Sequence, residues 1–303
     1  MPVYLPQFSR REFLKRAAMA GAAFSLSPRS VAGLFGKPRD RHFFAFFSDP
    51  HISADAAEVQ SGVNMAEHLA AAVRELIAWP AKPAAVIING DLAFKFGLAG
   101  DYALFGKLID PLRALAPVHL SLGNHDEREH FWTAFPHDAT KLKSVAQKQA
   151  AIFSTDRANW FLLDSLNLTA VTPGLLGEAQ IDWLARELAA RPDKPAIIVC
   201  HHHLDWLGAT GGLLDSAIVM DLFAQHPQVK AFIYGHTHDW HCSRHESGVE
   251  LINLPPTGYV FTAGRPSGWV CASLARDGME FELRSLDPKH PEHAQVHALK
   301  WRA

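Results

Sequence analysis

The chain has 303 residues, 48% hydrophobic and 20% charged, enough for one α/β domain with a sizeable core. A net charge of −2 supplies no basic surface for nucleic acid or for an anionic membrane. Three cysteines (Cys200, Cys242, Cys271) fit neither a disulfide framework nor a CxxC metal site, although one bridge between Cys242 and Cys271 stays open in an oxidising compartment.

In chain order, the first element is a targeting segment. Ser9-Arg-Arg-Glu-Phe-Leu-Lys15 resembles the twin-arginine export motif. A short Ala/Gly-rich apolar stretch follows, then Ser30-Val-Ala32, a small-x-small cleavage site. The apolar stretch is too short for a stable membrane span. Residues 1–32 are therefore predicted to be a removable signal. The twin-arginine machinery is the expected partner and the periplasm or extracellular space the expected location. Removal takes away five basic residues and one acidic one, which makes the remainder more acidic.

Residues 33–303 are predicted to form one domain with its core over 42–285. His42–Ser48 reads as a buried strand. Residues 54–79 carry helical spacing (Leu69, Ala72, Val73, Leu76), and 84–89 read as the second strand. A helix over 101–114 precedes a strand over 118–122. Apolar runs near 150–152 and 158–163 suit an antiparallel pair. Residues 178–190 are helical, and 196–200 and 231–234 are strands. From Glu250 to Leu283 the pattern is all β, and the His- and Pro-rich tail beyond Asp287 is read as irregular. Alternating β and α followed by a β-rich ending predicts a mixed sheet covered by helices.

Five fragments carry the chemistry: Asp49-Pro-His51, Gly90-Asp91, Gly123-Asn-His-Asp126, His201-His-His203 and Gly235-His-Thr-His238. Each follows an apolar strand, and strand ends in an α/β sheet converge on one rim. Together they offer oxygen and imidazole ligands for two metal ions sharing one carboxylate. Mixed N/O ligation suits Mn, Fe, Zn or Co without choosing among them. Neutral imidazole and amide donors would leave such ions with excess positive charge, which attracts a phosphoryl anion.

These blocks resemble the calcineurin-like metallophosphoesterases, and most closely the branch of bacterial cyclic-nucleotide and glycerophosphodiester phosphodiesterases. The resemblance runs from Phe46 to His238. It implies a four-layer αββα sandwich of two mixed β-sheets flanked by helices. It also implies hydrolysis of small phosphodiesters or phosphomonoesters by in-line attack of a metal-bridging hydroxide. By the same resemblance Asp49, His51 and His238 would hold one ion, and Asn124, His201 and His236 the other, with Asp91 bridging. His125 would be the catalytic histidine that is not a ligand, and Asp126 would support its loop. Phe94 stands where the family usually has Asp and purple acid phosphatases have Tyr, which excludes an iron-tyrosinate site. His202 is the alternative ligand to His201. Arg128, His202 and His203 are candidate substrate contacts, with a surface ion pair as the competing role for Arg128.

Other residues carry weaker readings. His119 and Asp164 read as structural. His241, His245 and the tryptophans Trp206, Trp240 and Trp269 are candidates for the pocket wall or the core. Two alternative functions stay open: a nucleotide or phospholipid-headgroup phosphatase, and a non-catalytic metal- or phosphate-binding homologue.

Overall fold

The structure, a computed structural model, describes residues 39–140, 144–205 and 211–303. The signal assigned to residues 1–32 and the candidate Trp206 lie outside them. Two six-stranded sheets form the framework. The first runs β14 (Val296–Lys300), β13 (Gly278–Ser285), β12 (Gly268–Leu274), β1 (Phe43–Ser48), β4 (Ala85–Asn89) and β5 (Val118–Ser121). The second runs β10 (His241–Arg244), β11 (Glu250–Asn253), β9 (Val229–Tyr234), β8 (Ala196–Val199), β7 (Asn159–Leu162) and β6 (Ala151–Ser154). Both sheets are mixed: β1, β4 and β5 are parallel to one another, as are β7, β8 and β9, while the flanking strands β12 and β6 run antiparallel to β1 and β7.

All six residues of β1 are buried, because side chains alternate between two apolar layers. Phe43, Ala45 and Phe47 face a layer shared with α1 (Met65–Ala78) and α2 (Ala99–Leu115). Phe44 and Phe46 face the central layer, where they meet Trp160, Ile197 and Ile233 of the second sheet. Phe44 and Trp160 lie with ring centroids 4.4 Å apart. After the short α3 (Arg128–Ala134), the second sheet's outer face packs on α4 (Glu178–Ala189) and α5 (Ser216–Gln225). The predicted αββα sandwich is therefore the observed one. Truncating a fully buried aromatic such as Trp160 to Ala would cost about 3–5 kcal/mol.

Three local expectations change. The helix predicted from Ala54 begins only at Met65, because β2 (Val59–Gln60) and β3 (Val63–Asn64) form a hairpin first. Ser61 and Gly62, both with positive φ, make its tight turn, and Asn64 then caps α1 by accepting from the Glu67 N–H. The tail is not irregular throughout: β14 pairs with β13 as an edge strand whose residues alternate between exposed and part-buried. Cys242 and Cys271 lie on strands of different sheets, and both thiols are free. Cys200 is buried, as expected. No helix among the described residues is long and apolar enough to cross a membrane.

Candidate metal centre

The parallel registers bring the five fragments together. Ser48 pairs with Asn89 and Asn89 with Ser121, so Asp49, Asp91 and Asn124 leave adjacent strands of the first sheet at one level. Val199 pairs with Ile233, so His201, His236 and His238 leave adjacent strands of the second. Five of the nine non-glycine residues with positive φ among the described residues are Asp49, His51, Asp91, His236 and His238. Left-handed backbone costs such residues of order 1 kcal/mol or more each, and its concentration here marks a site whose geometry overrides local preference.

Glycines make room for this crowding. A methyl group on Gly123 would sit 2.2 Å from Asp91 Oδ1 and 2.6 Å from His201 Nε2. One on Gly235 would sit 2.0 Å from Ser48 Oγ and 2.5 Å from Asp49 Oδ2. At both positions close approach, rather than a turn, is what requires glycine.

The imidazoles are aimed. His51 Nδ1 faces the Phe94 carbonyl at 3.1 Å, His201 Nδ1 the Asn89 carbonyl at 2.9 Å, and His238 Nδ1 the Tyr259 carbonyl at 2.5 Å. Each therefore turns Nε2 inward. Inside, His51 Nε2 lies 2.9 Å from His238 Nε2 and 3.7 Å from Asp91 Oδ2. His238 Nε2 lies 3.5 Å from Asp49 Oδ1, and His201 Nε2 lies 3.3 Å from Asp91 Oδ2. The ligand atoms of Asp49, His51 and His238 lie within 4.8 Å of one another, and so do those of Asp91, His201 and His236. These are two groups that could each hold a metal ion, and a third, His51, Asp91 and His125, shares residues with both.

Two buried atoms test that fit. Asn124 Oδ1 and His201 Nε2 have no aligned hydrogen-bond partner among the described residues, although a carboxylate lies near His201. An unsatisfied buried polar atom costs about 1–3 kcal/mol, and a cation would satisfy both. The electrostatics point the same way. Burial pushes the Asp49 carboxyl up, but His201 and His238 outweigh it and hold it at about 2. Asp91 is likewise held well below the carboxylate range, by His201 and then His51 against its burial. Burial lowers His51 to about 4 and, with the charge of His201, lowers His236 to about 3. His201 rises to about 10: burial opposes its charge, but Asp91 and Asp49 flank it. Two buried carboxylates thus demand positive charge at the point where the donor atoms converge.

A pocket of about 430 Å³ opens over the cluster. Asp91, Asn124, His125, His236 and His238 reach it. His125 donates its backbone N–H to Asp91 Oδ1 at 2.8 Å, and its Nδ1 lies 3.0 Å from the Lys95 carbonyl. Asp126 does not line the pocket. Its buried carboxylate accepts from the N–H groups of Leu92, Ala93 and Gly123 and from the Tyr102 hydroxyl, which ties the two loops together. Burial, then the charge of Asp91, raises it to about 7.

The candidate substrate contacts divide. Arg128 is engaged elsewhere: its Nε and Nη2 grip the fully buried Asp164 at 2.8 Å each, so its ion pair is a buried one and not the surface pair expected. His202 is neither ligand nor substrate contact, since Ser165 Oγ at 2.7 Å and the Thr172 carbonyl at 2.8 Å occupy both ring nitrogens. His203 does line the pocket. His241 and His245 do not line it, and Trp240 and Trp269 are core residues. His119 stacks on Phe153 and is structural, as read. The backbone carbonyl of Phe94 orients His51 through its Nδ1, a contact that does not depend on the side chain at that position.

The segment 255–261 was not visible as part of the site. Its Thr257 and Gly258 N–H groups bond the carbonyls of Ser48 and Asp49, its Tyr259 carbonyl holds His238, and Phe261 stacks on that ring. The only sequence signal was a Pro255-Pro256-Thr-Gly punctuation following a strand.

Comparison with known proteins adds the family. The model of the calcineurin-like phosphoesterases matches residues 44–240. The chain is 28% identical over 224 residues to a 3′,5′-cyclic adenosine monophosphate phosphodiesterase of Pseudomonas aeruginosa, covering 72% of this chain and 76% of that protein. It is 29% identical over 228 residues to the enzyme of the same name from Escherichia coli K12, covering 71% and 75%. Among solved structures, a dimetal phosphatase from Danio rerio superposes with a TM-score of 0.64 at 16% identity, over 86% of this chain and 99% of that one. A purple acid phosphatase from yellow lupin gives 0.60 at 14%, over 85% and 52%. With its family match spanning every block from β1 to Trp240, the chain belongs to the calcineurin-like phosphoesterases.

Proposed function

We propose that the chain is a two-metal phosphodiesterase for small phosphodiesters, cyclic nucleotides among them, working outside the cytoplasm. The observation that carries this reading is the convergence of donor atoms from five strand ends, with Asn124 Oδ1 and His201 Nε2 left for a cation. Asp49, His51 and His238 would hold one ion, and Asn124, His201 and His236 the other, with Asp91 between the two sets. Two such ions, as Mn, Fe, Zn or Co, would supply Lewis acidity and a water acidic enough to act as nucleophile near neutral pH.

The remaining chemistry belongs to side chains. His125, held by the Lys95 carbonyl, presents its other nitrogen to the pocket and gives a proton to the leaving oxygen. Asp126 keeps the loop bearing Asn124 and His125 in register with the loop bearing Asp91. The relatives named as cyclic AMP phosphodiesterases support a diester substrate. The twin-arginine sequence supports residues 1–32 as an export signal and 33–303 as the exported domain.

Asp91→Ala is expected to abolish hydrolysis of bis-nitrophenyl phosphate and to lower bound metal. Undiminished turnover by the pure variant would refute the mechanism. A fusion of residues 1–40 to a reporter should be exported, and changing Arg10 and Arg11 to Lys should block it.

A further inference from the structure

Phe261 is the unusual residue at the pocket mouth. The residue is 66% exposed, yet it lines the pocket, and its ring lies parallel to the His238 ring, with centroids 4.0 Å apart and 8° between planes. Tyr259 meets it edge-on at 6.0 Å. One face is therefore covered by a proposed ligand while the rest of the ring stands in solvent. Apolar surface left in water is costly, covering it is favourable, and a ring already stacked on one face has less freedom to lose when something stacks on the other.

We propose that Phe261 is the platform of a subsite for a planar ring carried by the substrate, either a nucleobase or an aryl group. The inference rests on the phosphodiesterase reading and deepens it. His238 Nε2 points toward Asp49, so Phe261 stands one ring behind the reacting centre. A phosphoester held at the centre places its substituent over that ring. Polar edges of the substituent meet the wall beside it: Thr237 accepts a hydrogen bond from Asn253 and keeps its own hydroxyl proton to donate, and Thr172 and His203 line the same pocket. Stacking on an aromatic face tolerates any base, because every base has a π-face.

The competing role for Phe261 is to shield His238 from water. Leucine separates the two, since it keeps apolar cover and removes the aromatic face. The test compares methyl adenosine 5′-phosphodiester with the matching methyl ribose 5-phosphodiester, which share the reacting phosphate and differ only in the base. Methyl benzyl phosphate is the aryl arm. All are assayed with Mn-loaded full-length protein, and rates are expressed per bound metal.

The ratio of kcat/KM with base to kcat/KM without it is expected to fall about tenfold in Phe261→Ala and Phe261→Leu and to be retained in Phe261→Trp. A parallel fall for the benzyl diester assigns the subsite to aromatic rings in general, and a fall for adenosine alone assigns it to nucleobases. An unchanged ratio, or equal losses on both diesters, overturns the proposal. If the unaltered enzyme hydrolyses no diester, the phosphodiesterase reading falls by itself, and calorimetric binding of adenosine 3′,5′-cyclic phosphorothioate decides for Phe261. Affinity about tenfold weaker in Phe261→Leu supports the platform, and equal affinity overturns it.

Discussion

The Nε2 atoms of His51 and His238 face each other across 2.9 Å in the buried ligand cluster, while both Nδ1 atoms are turned away onto backbone carbonyls. Two imidazole lone pairs approach this closely only with a proton or a cation between them. Removing one ring should therefore act through metal. His51→Ala is expected to reduce bound metal from about two ions per chain to about one, by elemental analysis. Its Tm should fall in metal-loaded protein and barely change after chelation, because a bound ion stabilises only the state that binds it. Equal losses with and without chelator would mean that His51 acts by packing alone.

Gly123 is a second point of leverage. An added methyl group would press on Asp91 Oδ1 at 2.2 Å and on the Asp91 backbone nitrogen at 2.6 Å, both deeply buried. Overpacking of this kind costs about 1–3 kcal/mol, and the carboxylate moves before the strand does. Gly123→Ala is expected to fold, to lose most of its metal affinity and to lose at least about 100-fold in turnover, because small displacements of reacting groups are amplified in rate. Turnover within a few-fold of the parent would show that the Asp91 position tolerates displacement.

Arg128 should report on stability and not on substrate. Its fork satisfies Asp164, whose carboxylate also accepts from the Gln149 and Leu166 N–H groups. Arg128→Ala strands a buried charge, at a cost of about 3–5 kcal/mol in urea unfolding, while KM for a diester stays within about twofold. Arg128→Lys recovers only part, since an ammonium cannot match the fork. A large rise in KM with unaltered stability would return Arg128 to the substrate.

His119 sets a pH dependence. It stacks on Phe153 with centroids 4.0 Å apart, joining the two sheets at their edges. Burial lowers its pKa from 6.5 to about 4, with Asp138 pulling the other way. The unfolded chain then binds the proton more readily than the folded one. Its contribution is flat above the unfolded value of 6.5 and becomes a growing cost as pH falls from 6.5 toward 4. After a discount for its partial exposure, that cost is roughly 1–3 kcal/mol. His119→Phe keeps the stack and removes the titration, so its unfolding free energy is expected to fall less steeply between about pH 6.5 and 4.5. Parallel profiles for the two proteins would exclude His119 as the source.

The sandwich and the ligand cluster were legible because their signals are local. β1, β4 and β8 are buried on both faces and read as unbroken apolar runs, and each metal block follows its strand directly. What sequence spacing could not decide is where a side chain turns after the chain has folded. His201 and His202 are adjacent, yet the first enters the cluster and the second leaves it for Ser165 and Thr172. Arg128 found its partner in Asp164, 36 positions away. The strap at 255–261 contributes mainly backbone groups, which residue identity does not announce. The hairpin ahead of α1 was missed because turn chemistry at Ser61 and Gly62 overrode helical spacing.

Asp49, Asp91 and Asn124 stand on the first sheet and His201, His236 and His238 on the second, with Phe44, Phe46 and Trp160 filling the space between. The thickness of that aromatic filling is therefore a gauge block for the site. A substitution such as Trp160→Phe, far from any substrate, would reset the spacing of the two half-sites, and natural drift in this layer offers a way to retune the centre without touching a single proposed ligand.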